Sequence, residues 1–278
     1  MNNNGTENNR ILCIAAHPDD LDFGAAGTIA GWVDKGYDIS YLIATKGDAG
    51  GSDLGIERSD MAAIRQTEQI EAAKQVGVDK VYFLDFKDGQ VKPDDKLNEA
   101  ITKTIREVKP FRILGPSPEI SWTRIAASHP DHLAVGSATL FSVYPYARNP
   151  FAFPHLLENG LDAHIVKELW LMASPHAFIG PIQGQPTFSK QTNDRSSNTQ
   201  VNGIFPNIVT GNNGTKITAV DVSANFEKKI KALASHKSQI NDIDAIESML
   251  RQFLSYNAKL YGGEDHILAE AFQVVTDL

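Results

Sequence analysis

Two stretches of the chain set histidine beside aspartate at a short, repeated spacing: AHPDDLDFG from Ala16 to Gly24, and SHPDH from Ser128 to His132. His17 and Asp20 stand three apart in the first, and His129 and His132 three apart in the second. That interval puts two side chains on one face wherever the chain turns helically. Imidazole nitrogen and carboxylate oxygen are donors that a borderline cation such as Zn²⁺ accepts, and a catalytic centre needs three protein ligands with one position left for water. Each stretch alone also reads as a turn or a helix cap, because Pro, Asp and Gly stop strands and start helices. A cap accounts for one aspartate in each stretch and leaves the histidines unexplained. Together the two stretches predict a metal centre built from separated segments. Cys13 is the only cysteine, which excludes an internal disulfide and a multi-cysteine zinc cluster and points to a reducing compartment.

Such residues need a scaffold, and the flanking sequence supplies one. Apolar runs at Arg10–Ala16, Ile39–Thr45, Lys80–Phe86, Arg112–Gly115 and Glu168–Ser174 read as strands. They alternate with helical spacing over Gly24–Lys35, Glu57–Val76 and Leu97–Val108,. The fold class predicted is α/β: a Rossmann-like, doubly wound, mostly parallel sheet with helices on both faces. Ligands of such sheets sit outside the carboxyl ends of the strands, where strand order reverses. His17–Asp20 follow the first strand, Gly47–Gly51 the second, Asp85 and Asp88 the third, and Ser117–His132 the fourth. From about Gly180 to Gly214 the composition turns to Gly, Pro, Ser, Thr, Asn and Gln, which reads as an insertion or long loop,. Ile217–Val222 then resumes as a strand, and Phe226–Ser235 and Ile243–Leu260 read as closing helices. We expect a single domain over residues 1–278 with a frayed tail at 1–9.

Composition narrows the function classes. The 278 residues are 42% hydrophobic and carry a formal net charge of −8, with no basic block, so no footprint for nucleic acid is present,. No apolar run approaches the roughly 20 residues that span a bilayer, and MNNNGTENN lacks the basic start and apolar core of a signal peptide,. The expectation is a soluble, cytoplasmic protein with no membrane partner. Gly24 and Gly27 do not form G-x-G-x-x-G, so no nicotinamide or flavin cofactor is expected,.

AHPDD followed by GAAGTIA, TKGDAGGSD, IRQTEQIEAAKQVGV, FLDFKDG, SHPDH and SHKSQ together resemble the PIG-L/LmbE family of zinc-dependent N-acetylglucosaminyl deacetylases. The resemblance covers most of the chain. It implies that His17, Asp20 and His132 hold Zn²⁺, with Fe²⁺ also compatible with this donor set. It implies Asp19 as the general base that takes a proton from metal-bound water attacking an acetamide carbonyl, and His129 as the group that stabilises the oxyanion and protonates the leaving amine. Asp131 either holds His129 in its charged form or caps the following helix. Arg65 either contacts the sugar or is an exposed helix arginine, and Asp88 either recognises a hydroxyl or forms an Asp-Gly turn. Trp122 reads as a sugar platform or a packing anchor, and His236 as structural or as approaching the site. The implied partner is a small-molecule acetamido sugar or its conjugate, and homo-oligomer formation is left open. Two alternatives stand beside this: a metal amidase acting on a non-sugar amide or thiol conjugate, and a non-catalytic sugar-binding protein. Two departures from the family pattern stand out: Asp22 and Phe23 stand where many relatives carry a glutamate, which leaves the metal ligands unaffected and changes what surrounds them, and the 180–214 segment is long, which bears on substrate preference.

Overall fold

The computed structural model describes residues 9–51, 55–122, 125–174, 209–210 and 216–278. The chain runs β1 (Arg10–Ala15), α1 (Asp20–Asp34), β2 (Asp38–Thr45), α2 (Arg58–Gln75), β3 (Lys80–Phe86), α3 (Asp95–Val108), β4 (Arg112–Pro116), α4 (Pro130–Phe141), α5 (Pro154–Glu158) and β5 (Glu168–Met172). It continues through β6 (Val209–Thr210), β7 (Lys216–Asp221), α6 (Phe226–Ala234), α7 (Ile243–Leu260) and β8 (Ala269–Val275). Among the described residues the strands form one sheet in the order β3-β2-β1-β4-β5-β8-β7-β6. β3, β2, β1, β4 and β5 are parallel neighbours, and β8, β7 and β6 join antiparallel. The predicted α/β class and mostly parallel sheet are therefore present.

Strand alternation sorts the core into two layers. Ile11, Cys13 and Ala15 of β1, with Ile39, Tyr41 and Ile43 of β2, face one side. They pack there against Leu21, Ala25 and Ile29 of α1, Ala72 of α2, and Phe226 and Leu233 of α6,. Leu12 and Ile14 face the other side with Leu97, Ile101 and Ile105 of α3 and Val135 and Ala138 of α4. The three α3 residues recur every fourth position, so they form one buried stripe. Asp94 starts that helix by accepting hydrogen bonds from Lys96 N and Leu97 N at 3.1 and 3.2 Å,.

Two differences from the sequence reading bear on function. The first helix starts at Asp20, four residues before the expected Gly24. Asp19 adopts a left-handed conformation (φ 88) and its carbonyl accepts from Asp22 N and Phe23 N, which starts the helix inside the polar motif. The strand β8 was not expected. It carries Glu270, which is 2% exposed and paired at 2.8 Å with the fully buried Lys229 of α6. The Lys229 ammonium also donates to the carbonyls of Asp22 and Phe23, and Glu270 accepts from Gly27 N and Thr28 N. The expected 180–214 segment lies outside the described residues except for 209–210, as does the tail before residue 9.

The amino-terminal edge of the sheet is closed by Arg112, the first residue of β4. Its guanidinium carbon lies 4.5 Å from the Trp170 ring centre and 4.9 Å from those of Trp32 and Phe111. Its Nε donates to Glu168 at 2.7 Å,.

Candidate metal centre and active site

Strand order reverses between β1 and β4, and the crevice outside their carboxyl ends receives both histidine-aspartate stretches,. After β1 the Asp20 carboxylate folds back to accept Ala16 N at 3.0 Å and His17 N at 2.9 Å, which fixes its orientation. After β4, His129 caps α4 with its own ring: Nδ1 accepts from Asp131 N at 3.2 Å, and Pro130 follows as the first helical residue,. His132 then sits one turn into α4 and points back across the crevice.

His17 Nδ1 lies 3.1 Å from His132 Nε2 and 3.7 Å from an Asp20 oxygen, while His132 Nε2 lies 3.0 Å from the other Asp20 oxygen. Tetrahedral ligands of zinc at its usual bond lengths stand about 3.3 Å apart. The three side chains thus fit a small cation, and two imidazole nitrogens 3.1 Å apart cannot both present protons to each other. Burial alone lowers the His17 pKa, but hydrogen bonds and charge from Asp20 and Asp88 outweigh it and raise it to about 11. His132 is likewise raised by Asp20 against burial, and Asp20 is held below the usual carboxylate range by the two histidines although burial opposes this. The cluster is therefore strongly cation-seeking.

The opposite ring nitrogen of His17 faces two more carboxylates. Nε2 lies 3.1 Å from Asp131 and 3.2 Å from Asp88. Asp131 is fully buried and also accepts from Gly89 N at 2.7 Å and Val91 N at 3.1 Å. Asp88 accepts from Ala49 N at 3.2 Å. His17, Asp88 and Asp131 form one group able to hold a cation, and His17, His129 and His132 form another. Carboxylates on one imidazole nitrogen fix the tautomer and leave the other nitrogen free as a donor. Neither expectation for Asp131 matches its position: its carboxylate lies on His17 and not on His129, and the cap of α4 is His129 itself. The reason is local, since the two backbone amides after β3 take up the carboxylate of the first helical turn.

Asp19, next to Asp20, points toward α2. Burial and the Asp20 charge raise its pKa to about 7, and Arg65 opposes them. Arg65 is 4% exposed, so the reading as an exposed helix arginine is overturned. Its guanidinium donates to the Asp19 carboxylate at 3.1 Å, to Pro18 O at 2.8 Å and to Gly47 O at 3.1 Å. A Cβ on Gly50 would collide with this guanidinium, so a side chain there would push Arg65 from its place beside Asp19.

His129 is exposed, with its ring 4.9 Å from that of His17 in an edge-on arrangement. Trp122 is 83% exposed and is not a packing anchor. His236 is fully buried against Asp22, 2.8 Å from its carboxylate. Gln69 was passed over in the sequence because a helix glutamine carries no chemical signal by itself. It is completely buried and accepts a hydrogen bond from Asp19 N at 2.8 Å.

Comparison with known proteins shows what the chain as a whole is similar to. Over 270 residues the chain is 27% identical to a diacetylchitobiose deacetylase of Thermococcus kodakarensis, covering 96% of this chain and 83% of that protein. It is 31% identical over 138 residues to a probable N-acetyl-alpha-D-glucosaminyl L-malate deacetylase 2 of Bacillus cereus, covering 48% of this chain and 60% of that one. The structure superposes on N,N'-diacetylchitobiose deacetylase from Pyrococcus horikoshii, solved with an inhibitor, with a TM-score of 0.74 at 25% identity, covering 97% and 85% of the two chains. Residues 12–142, which hold both histidine-aspartate stretches, match the model of the PIG-L family, described as GlcNAc-PI de-N-acetylase.

Proposed function

We propose that this protein is a metal-dependent N-deacetylase that removes an acetyl group from the nitrogen of a small acetamido sugar or its conjugate. The observation that carries the reading is the convergence of His17 Nδ1, Asp20 and His132 Nε2 within 3.0–3.7 Å, with the Asp19 carboxylate on the adjoining residue. His17, Asp20 and His132 would hold Zn²⁺, or Fe²⁺ with the same donors. When bound, the metal supplies Lewis acidity toward a carbonyl oxygen and lowers the pKa of water.

The chain's own residues account for the proton movements. Asp19, with a pKa near 7, is poised to accept a proton from the attacking water at ordinary pH,. Arg65 donates to that carboxylate and balances part of its charge. His129, exposed at the rim beside His17, stands where a ring N–H can stabilise the oxyanion and then protonate the leaving nitrogen,. Water adds to the carbonyl carbon, the C–N bond breaks, and an amine and acetate leave. Asp88 and Asp131 anchor His17 through Nε2, which assigns Asp88 first to orienting a ligand,. The deacetylases named above act on acetylated sugars or carry names of such activity, which supports an acetamido sugar over a non-sugar amide. The single buried thiol suits a reducing, cytoplasmic setting,, and no helix among the described residues is long and apolar enough to cross a membrane.

The test is metal analysis of the purified protein, followed by amine release from diacetylchitobiose, N-acetylglucosamine conjugates and simple acetamides. Stoichiometric zinc or iron and release from the sugars is the expected result. Absence of bound metal together with no turnover after adding either ion would sink the enzyme reading.

A further inference from the structure

Asp19 occupies the left-handed region with φ 88, a strained conformation for a residue other than glycine that persists only where surrounding contacts enforce it,. Its peptide N–H donates to Gln69 Oε1 at 2.8 Å. A side-chain amide can turn over and offer its NH₂ group in place of its oxygen, so the contact needs something that fixes which end faces Asp19. Asp22 does this. Its carboxylate accepts from Gln69 Nε2 at 2.9 Å, and a carboxylate that only accepts compels the NH₂ end to face it. The same Asp22 oxygen lies 2.8 Å from His236 Nε2. Gln69, Asp22 and His236 are each fully buried, so water offers none of them another partner. Ser238, two residues beyond His236, donates to Glu68 through its hydroxyl and its amide at 2.7 and 2.8 Å, which docks the segment after α6 onto α2 beside Gln69.

We propose that His236, Asp22 and Gln69 form a positioning relay that holds the backbone of Asp19 in its left-handed conformation and so aims the base at the reacting water. The segment after α6, about two hundred residues from the motif it serves, thereby sets the geometry of catalysis without touching substrate. This rests on the assignment of Asp19 as general base. A loss of this hold moves the carboxylate by a fraction of an ångström to about 1 Å, a displacement that can lower turnover up to about 100-fold.

The test uses the metal-loaded full chain and diacetylchitobiose. Gln69→Met keeps volume and removes the acceptor; it should lower kcat roughly 10- to 100-fold, with KM and metal content unchanged within about twofold. Gln69→Glu sets two carboxylates together and should fall as far. Gln69→Glu with Asp22→Asn reverses the polarity of the contact, since the asparagine NH₂ replaces the shared oxygen and donates one proton to the glutamate and the other to His236 Nε2, whose own proton moves to Nδ1,. That pair should recover kcat to within about threefold of the wild type. A purely structural role would lower the melting temperature and metal content instead, so both are measured for every variant. In parallel, the Asp19 amide should lose protection from hydrogen exchange in Gln69→Met and regain it in the double variant. Wild-type kcat in Gln69→Met, or a loss that only tracks metal content, overturns the relay. If the wild type itself releases no amine, the deacetylase reading fails, and the relay is decided by Asp19 amide protection alone.

Discussion

Lys229→Met should destabilise the protein severely, and the structure says by how much. The ammonium spends all three protons, on Glu270 at 2.8 Å, Phe23 O at 2.7 Å and Asp22 O at 2.9 Å, and its side chain has no exposed surface. Methionine fills nearly the same space, so little of the effect is cavity. What remains is the 2% exposed Glu270 carboxylate without its counter-charge and two carbonyls short of a donor. Breaking a buried pair from one side costs about 3–5 kcal/mol. In a chain of this size about 1 kcal/mol moves the melting temperature by about 2–4 °C, so a fall of roughly 10 °C is expected. Removing the partner as well, in Lys229→Met with Glu270→Met, takes away the stranded charge and should restore part of the loss. Urea unfolding of the four proteins in the cycle measures this. A Lys229→Met protein within about 1 kcal/mol of wild type, or a double variant whose loss equals the sum of the singles, would refute the reasoning.

Asp19→Asn should lower kcat by about 10²–10⁴-fold while metal content stays stoichiometric, because Asp19 stands beside the converging ligands and is not one of them; unchanged turnover would remove it as the base. Gly50→Ala should displace the Arg65 guanidinium and lower kcat/KM by more than tenfold at about equal melting temperature; wild-type kinetics would show that Arg65 does not matter to the base. In the metal-free protein burial opposes, but Asp20 and Asp88 prevail in raising, the His17 pKa to about 11, so near pH 7 the ring holds a proton that an entering cation must displace. Zinc affinity should accordingly rise roughly tenfold per pH unit with proton release in calorimetry, and an affinity flat between pH 6.5 and 8 would contradict this. Burial pushes the Cys13 thiol far up against the smaller opposing pull of Arg112, so the native protein should resist iodoacetamide at pH 8 and take one label only after unfolding; labelling of the native form would place Cys13 at the surface.

Much of the scaffold was legible because its signals are local. The five parallel strands are apolar runs closed by turn residues, and the helix periodicity of α2 and α3 is plain in the sequence. The paired spacings of His17 with Asp20 and of His129 with His132 likewise needed only the rule that ligands gather at the carboxyl edge. What was not legible depends on partners distant in sequence. The helix α1 starts early because Asp19 takes a left-handed turn, and a lone aspartate does not announce that. Glu270 breaks the apolar pattern of β8, and only Lys229, which meets it from α6, makes the residue acceptable inside the sheet. Asp131 reads as a helix cap until the amides of Gly89 and Val91 are seen to claim it. Gln69 and His236 look ordinary until Asp22 joins them.

Arg112, boxed by Trp32, Phe111 and Trp170 and tied to Glu168, clamps β4 and β5 at their beginnings. The proposed ligands His17, Asp20 and His132 stand at the opposite rim, beyond the carboxyl ends of β1 and β4. Anchorage and the proposed chemistry thus occupy separate edges of one sheet, and none of the contacts of Arg112 involves the loop that follows Pro116. The molecule has a fixed floor and a replaceable ceiling, which is the condition under which one catalytic plan can be fitted to new substrates by changing only what lies above it.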